Sequence, residues 1–204
     1  TSKQFKDFPN LFSFDCDEES TKPTAIINKI SFYKNFIGLK DSHVKAYPCL
    51  LSYDTVSDES VPTSIKAKLK FYRDELGFDN KHIQKSPSLL NHDCVSDETK
   101  PSSMRAKIKF YREKFGFENE HFQADPGVFC YDCTDSGSPT SVISKFKFYS
   151  ENLGLTEQHI RENPILLHFD CVSDESEPTS VKAKLAKIYE IGLTNEDIQN
   201  NTKL

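Results

Sequence analysis

The chain has no tryptophan, one methionine and only seven glycines in 204 residues. No run of eighteen apolar residues occurs, which excludes a membrane-spanning helix. No glycine-rich phosphate loop and no Ser-His-Asp arrangement can be read from it. The sequence starts at Thr1 without an initiator methionine and without a signal-peptide pattern, so a fragment or a processed form is expected. What is present is a polar chain with large apolar side chains supplied by 16 Phe and 8 Tyr. Apolar residues make up 36% and charged residues 28%, with a net charge of −5. Its length suffices for one domain with a substantial core.

Six cysteines invite a disulfide framework, but their spacing argues against one. Cys16, Cys94, Cys133 and Cys171 occupy one slot of a recurring unit. Equivalent positions in stacked helical repeats lie about 10 Å apart, and a disulfide needs Cα atoms within about 7 Å. These four should be unbridged thiols, which points to an intracellular, reducing compartment.

The recurrence decides the fold. A Pro-[Thr/Ser]-[Thr/Ser/Ala] signature falls at Pro23, Pro62, Pro101, Pro139 and Pro178, spaced 39, 39, 38 and 39 residues apart. Gly38, Gly77, Gly116, Gly154 and Gly192 form a second column, and Pro9, Pro48, Pro87, Pro126 and Pro164 a third. The units are a partial repeat 1–22, then 23–61, 62–100, 101–138, 139–177 and a truncated 178–204. In the second unit, Pro62-Thr63-Ser64 opens a helix. Its stripe is Ile65, Leu69, Tyr72 and Leu76, and Gly77 ends it in the left-handed conformation. Asp79 caps a shorter helix, and Pro87-Ser88-Leu89-Leu90 forms a third helical turn. Ala67 and Phe71 give the first helix a second apolar flank, as a sandwiched helix requires. The expected fold is all-α, a right-handed helical-repeat solenoid of about five 38–39-residue units in a single domain over residues 1–204. Each unit has two helices and a short third turn. The sequence opens on a repeat tail, Phe8-Pro9-Asn10-Leu11-Phe12, and ends inside a third segment, so a longer natural array is expected.

The stretch KLKFYRDELGFDNKHIQKSPSLL resembles the motif of the mitochondrial transcription termination factor family. That motif is a helix ending in leucine-glycine-leucine, a short helix, then Pro-x-Leu-Leu. The matching residues are Leu76-Gly77-Phe78, Ile83 and Pro87-Ser88-Leu89-Leu90, and again Leu153-Gly154-Leu155, Ile160 and Pro164-Ile165-Leu166-Leu167. The resemblance covers nearly the whole chain. It implies a curved superhelix of triple-helical repeats, binding of double-stranded nucleic acid along a basic concave face, and residence in a mitochondrion or plastid. Two features depart from that family: the acidic net charge, and near-identical Ser-Asp-Glu-[Ser/Thr] linkers.

The charges segregate. Of 26 Lys and Arg, 16 lie on the first helices, and of 31 acids, 16 lie in the loops joining repeats. In a solenoid these should form separate stripes. The candidate contact residues are Lys66, Lys70 and Arg73, then Arg105, Lys109 and Arg112 in the same slots, with Lys147 continuing in the fourth unit. Three readings are open: a solvated helix face, phosphate contact, or contact with an acidic protein. A further lysine column, Lys29, Lys68, Lys107, Lys145 and Lys184, should cover the seam between flanks with its stem while its amine reaches water. The linker Asp93-x-x-x-Asp97-Glu98 lacks the alternating ligands and glycine of a calcium loop. It should instead place negative charge near a helix start.

His43, His82, His121 and His159 share a slot on the second helices, too far apart for one zinc ion. They should cap or pack. A catalytic group need occur only once, and residues that recur with the repeat are better explained by the repeat. No enzyme, no cofactor, no metal and no small-molecule substrate is therefore expected. Two functions remain open: a nucleic-acid binder of the family named above, or a protein-interaction scaffold, for example a secreted or host-directed repeat protein.

Overall fold

A computed structural model of the chain describes residues 25–134 and 138–201. The partial repeat 1–22, with Pro9 and Cys16, together with Pro23 and Thr202–Leu204, lies outside the described residues. The chain is 62% helical, and no strand occurs among the described residues. It divides into two compact units, 1–95 and 96–204.

The first unit holds α1 (Ile26–Phe32), which runs into a π-type turn Tyr33–Ile37. There follow α2 (Asp41–Ala46), a 3-10 turn Pro48–Ser52, α3 (Ile65–Leu76), α4 (Asn80–Lys85) and a second 3-10 turn Pro87–Asn91. The second unit holds α5 (Met104–Phe115), α6 (Asn119–Ala124), a 3-10 turn Pro126–Cys130, α7 (Val142–Leu153), α8 (Glu157–Glu162) and a 3-10 turn Pro164–His168. It ends in α9 (Val181–Glu190) and α10 (Asn195–Asn200). The long-helix, short-helix, 3-10 succession is the punctuation read from proline and glycine.

Local chemistry explains each boundary. The side chain of Ser64 accepts from Ala67 N, and Ser103, Ser141 and Ser180 do the same at the starts of α5, α7 and α9. Pro62 therefore stands two residues before the cap and not inside the helix. Gly77 and Gly116, with φ of 67° and 66°, close α3 and α5 in the left-handed region that a Cβ disfavours. At the second helices the recurrent histidine closes a capping box. Nδ1 of His82, His121 and His159 each accepts the backbone N–H of Asp79, Glu118 and Thr156 at 3.0 Å. In α10, Asp197 takes that role toward Thr194 N.

The lysine column corrects the sequence expectation. Lys29, Lys68, Lys107 and Lys145 are buried, at 4–8% exposure. Their amines turn inward and not to water. Lys68 Nζ donates to Leu90 O at 2.7 Å and His92 O at 2.8 Å. Lys107 Nζ donates to Phe129 O and Tyr131 O at 2.6 and 2.8 Å, and Lys29 Nζ to Leu51 O and Tyr53 O at 2.8 and 2.9 Å. Lys145 Nζ donates to Leu167 O. One turn later, the hydroxyls of Tyr33, Tyr72, Tyr111 and Tyr149 donate to Leu50 O, Leu89 O, Val128 O and Leu166 O. The physical reason is that the last carbonyls of a 3-10 turn have no donor within that turn. A lysine reaching down from the first helix satisfies them, and its charge suits that negative end. The long helix is thereby bonded to the turn that closes its own repeat.

Two neighbouring pairs of repeats, the first with the second and the fourth with the fifth, meet in the same way. Gln84 Nε2 donates to Ile37 O at 2.8 Å and Gln199 Nε2 to Leu153 O at 2.6 Å. Each glutamine lies over the glycine that ends the preceding long helix, where a Cβ would meet it at 2.5–2.6 Å. Asn80 and Asn195 add bonds to Phe36 O and Asn152 O.

Replacing Lys107 with Met should destabilise the protein by about 2–4 kcal/mol. Two buried carbonyls lose their donor, at about 1–3 kcal/mol each, and relief of the ammonium's desolvation offsets part of that. The same change at exposed Lys114 should be near neutral; urea unfolding of both variants checks the contrast.

The pH dependence follows from the same groups. Burial raises the Tyr33, Tyr111 and Tyr149 phenols above their ordinary value and lowers the four lysines. Unfolded phenols ionise near about pH 10, so above it the unfolded chain holds fewer protons and stability falls by about 1.4 kcal/mol per pH unit per phenol. The lysines add stability as pH rises toward about 10.4 and nothing beyond. Stability should therefore drop steeply only above about pH 10.4, and Tyr111→Phe should make the drop shallower. Urea midpoints on either side of that pH check both.

Candidate binding surface

The sequence-derived contact residues divide between the units. Lys66, Lys70 and Arg73 lie on α3 in the first. Arg105, Lys109 and Arg112 on α5, and Lys147 on α7, lie in the second. All are exposed except Lys66, which is half-buried with its amine donating to Val56 O at 3.1 Å.

Their surroundings correct the expectation of separate charge stripes. Arg73 Nη2 meets the linker carboxylate of Glu59 at 3.4 Å, and Lys109 Nζ meets that of Glu98 at 3.0 Å. Lys70 pairs with Asp74 at 2.6 Å and Lys147 with Glu151 at 3.8 Å, both one helical turn on. Arg112 donates to Asn119 Oδ1 at 2.9 Å. The linkers lie against the helices whose charge they oppose, so the face is mixed in sign. Exposed pairs of this kind are worth about 0–1 kcal/mol each, so an incoming partner can exchange them cheaply.

The reason lies in the linkers' own turns. Asp54 Oδ1 accepts from Val56 N and Ser57 N, and Asp170 Oδ1 from Val172 N and Ser173 N. Asp58, Asp97 and Asp174 bind Ser60, Thr99 and Ser176 in a second such turn. These bonds hold the carboxyls below the ordinary carboxylate range. The first aspartate of a linker also gives its backbone carbonyl to the first N–H of the next long helix, as Asp54 O does to Ile65 N at 2.9 Å and Asp170 O to Val181 N at 2.8 Å. Most linker acids are thus structural. Glu59 and Glu98, which their spacing from the cations did not reveal, face the basic residues.

Each unit has an open recess beside the end of a long helix. In the first, about 810 Å³ is lined by Lys66 and Arg73 with Glu59, Asp79 and exposed Phe36. In the second, about 490 Å³ is lined by Arg112, Asn119, Glu118 and Glu120. Both present cation and carboxylate side by side.

Burial works against activation of the described thiols Cys49, Cys133 and Cys171. Cys130-Tyr131-Asp132-Cys133 has C-x-x-C spacing, a signal for redox or metal chemistry that reading by repeats passes over. Cys130 is exposed but Cys133 is buried, and burial pushes its thiol up to about 11, opposite to the lowered value a reactive thiolate needs. Burial raises the Cys171 thiol as well. No group of three or more His, Cys, Asp or Glu suited to a metal occurs among the described residues. Among the described cysteines, Cys130 and half-buried Cys49 should label with a thiol reagent in the folded protein. Cys94, Cys133 and Cys171 should label only on unfolding, and Cys16 lies outside the described residues. Mass mapping of labelled peptides checks this.

No protein family, no curated protein and no solved structure matches the chain.

Proposed function

We propose that the chain is a non-enzymatic helical-repeat module whose units each bind protein through a charged face of their own, that of α3 in the first and that of α5 in the second. The observation that carries this reading is the pairing of Glu59 with Arg73 and of Glu98 with Lys109. Two of the cations, Arg73 and Lys109, are paired with carboxylates of the chain's own linkers. A protein surface carrying acidic side chains can exchange such pairs one by one, gaining specificity and speed of encounter more than raw affinity.

A second reading is favoured by a specific feature. Lys66, Lys70 and Arg73, and Arg105, Lys109 and Arg112, each project along one helix at i, i+4 and i+7, and the repeat resembles a nucleic-acid-binding family. On that reading the module contacts the backbone of a nucleic acid.

One titration separates the two. Duplex and single-stranded oligonucleotides are offered at low and at high salt. No binding at low salt is expected. Binding that falls with a log–log salt slope near −0.9 per duplex phosphate contact overturns the proposal in favour of the second reading. The double variant Lys70→Glu, Lys109→Glu should keep its unfolding midpoint within about 0.5 kcal/mol, because both residues are exposed. It should also lose the partner that the parent protein captures.

A further inference from the structure

The recess of the first unit, about 810 Å³, lies where two successive repeats meet. Phe36 lines it from one repeat, and Lys66, Leu69, Arg73 and Lys81 line it from the next. We propose that it seats an acidic-aromatic segment of another protein, with a ring lodged against Phe36 and Leu69 and flanking carboxylates on the cations. This rests on the reading above, in which the first unit binds protein through the face of α3, and names what the partner presents there.

The second unit has a different set of side chains in the same slots. Phe36, Leu69 and Asn80 correspond to Lys114, Phe146 and Glu157. Lys114 bridges one repeat to the next: its ammonium lies 3.0 Å from Glu157 Oε1 and 4.9 Å from the centre of the Phe146 ring. Phe36 can make no such ion pair. Its ring stacks instead on Phe32, one turn back on its own helical segment, with centres 5.0 Å apart and planes at 18°. Asn80 turns to the backbone and donates to Phe36 O at 2.8 Å. The gap is left open, with Leu69 half-buried and Phe36 at 54% exposure. In the second to fourth repeats the slot of Phe36 is polar, as Glu75, Lys114 and Asn152. The repeat itself therefore does not ask for a ring there, and an aromatic side chain at the edge of a recess is the kind of anchor that protein interfaces favour.

Charge selects the occupant. Asp79 is committed to the start of α4, where it accepts from Lys81 N and His82 N at 2.9 and 3.2 Å. Glu59 is held by Arg73 at 3.4 Å. Lys66 donates to a backbone oxygen, that of Val56. Lys81 is exposed and, among the described residues, in no ion pair. Carboxylates beside an inserted ring would give these two ammonium groups charged partners. A volume of this size holds a few residues, so ring and carboxylates can enter together.

Three labelled peptides of equal length test this. One carries Asp-Phe-Glu, one has alanine for the phenylalanine, and one has lysine for both acids. Titrated against the full chain, the first should bind saturably with Kd below about 1 mM, and each control about tenfold or more weakly. Lys81→Glu and Phe36→Ser should each weaken the first peptide about tenfold. Lys81→Glu should leave the melting temperature in place, because the residue is exposed and lies in the first turn of α4, where a negative charge is tolerated. Absence of binding up to about 1 mM, equal binding of the alanine peptide, or an unchanged affinity with either variant overturns the proposal. Self-association that rises with concentration and that Phe36→Ser abolishes assigns the recess to a second copy, and overturns it too. Lys70 and Lys109 do not line the recess. A failed peptide beside partner loss in the Lys70→Glu, Lys109→Glu variant therefore sinks this proposal alone. A bound peptide beside partner capture that the double variant retains sinks the charged-face reading alone.

Discussion

A buried ammonium that donates to backbone carbonyls sets the geometry of every described repeat from the first to the fourth. Lys68 and Lys107 make no ion pair within 4 Å; their partners are the final carbonyls of the turn that closes the repeat. Desolvating an ammonium costs several kcal/mol, and only full satisfaction of its donors offsets that. A turn that moved would leave both the cation and two carbonyls unsatisfied, so the arrangement penalises any register but one. The tyrosine one turn on repeats the constraint with a neutral donor. Together they fix the angle between the long helix and its turn, and the two apolar residues of the turn are buried as a consequence. The linker aspartate completes the device. Burial lowers the pKa values of Lys68 and Lys107, and the charges of Asp93 and Asp132 offset a small part of that.

This division of labour explains why the exposed cations of an acidic chain sit on faces of mixed sign. The first aspartate of each linker turns on its own backbone and serves the buried lysine. The glutamate that follows the second aspartate, Glu59 or Glu98, is left to meet a surface cation. Net charge therefore says little about what a given face attracts, because the acids are committed locally.

Much of this was legible in the sequence, and the parts that were not share one cause. Proline and glycine columns gave helix ends, because their backbone limits act locally: Gly77 and Gly116 adopt the left-handed conformation whatever packs around them. The 3-10 turn at Pro87 and the cap at Asp79 were local in the same sense. The lysine column was misread because its partners lie 22 and 24 residues away, and nothing at Lys68 alone says whether its amine rises to water or folds onto carbonyls. Glu59 and Arg73 are 14 residues apart across an irregular linker, beyond any helical periodicity. The C-x-x-C spacing of Cys130 and Cys133 was passed over, because reading by repeats places the two in different slots, and burial of Cys133 removes the chemistry that the spacing suggests.

Where the repeats agree, the shared residues are accounted for by the repeat itself; what distinguishes one surface from another must lie where they differ. The lysine slot is unbroken from Lys29 to Lys184 and buried in its first four members, and the capping serine recurs at Ser64, Ser103, Ser141 and Ser180. The slot of Lys66 behaves otherwise: it is Ile27 in the first repeat, Arg105 in the third, Ile143 in the fourth and Lys182 in the fifth. The slot of Arg73 is Lys34, then Arg112, then Ser150. Over the glycine that ends a long helix, Gln84 and Gln199 give way to Arg161 against Gly116. A scaffold under strong internal constraint tolerates such variation only at positions that the clamp does not use. The faces of α3 and α5, each in its own unit, carry those varying slots.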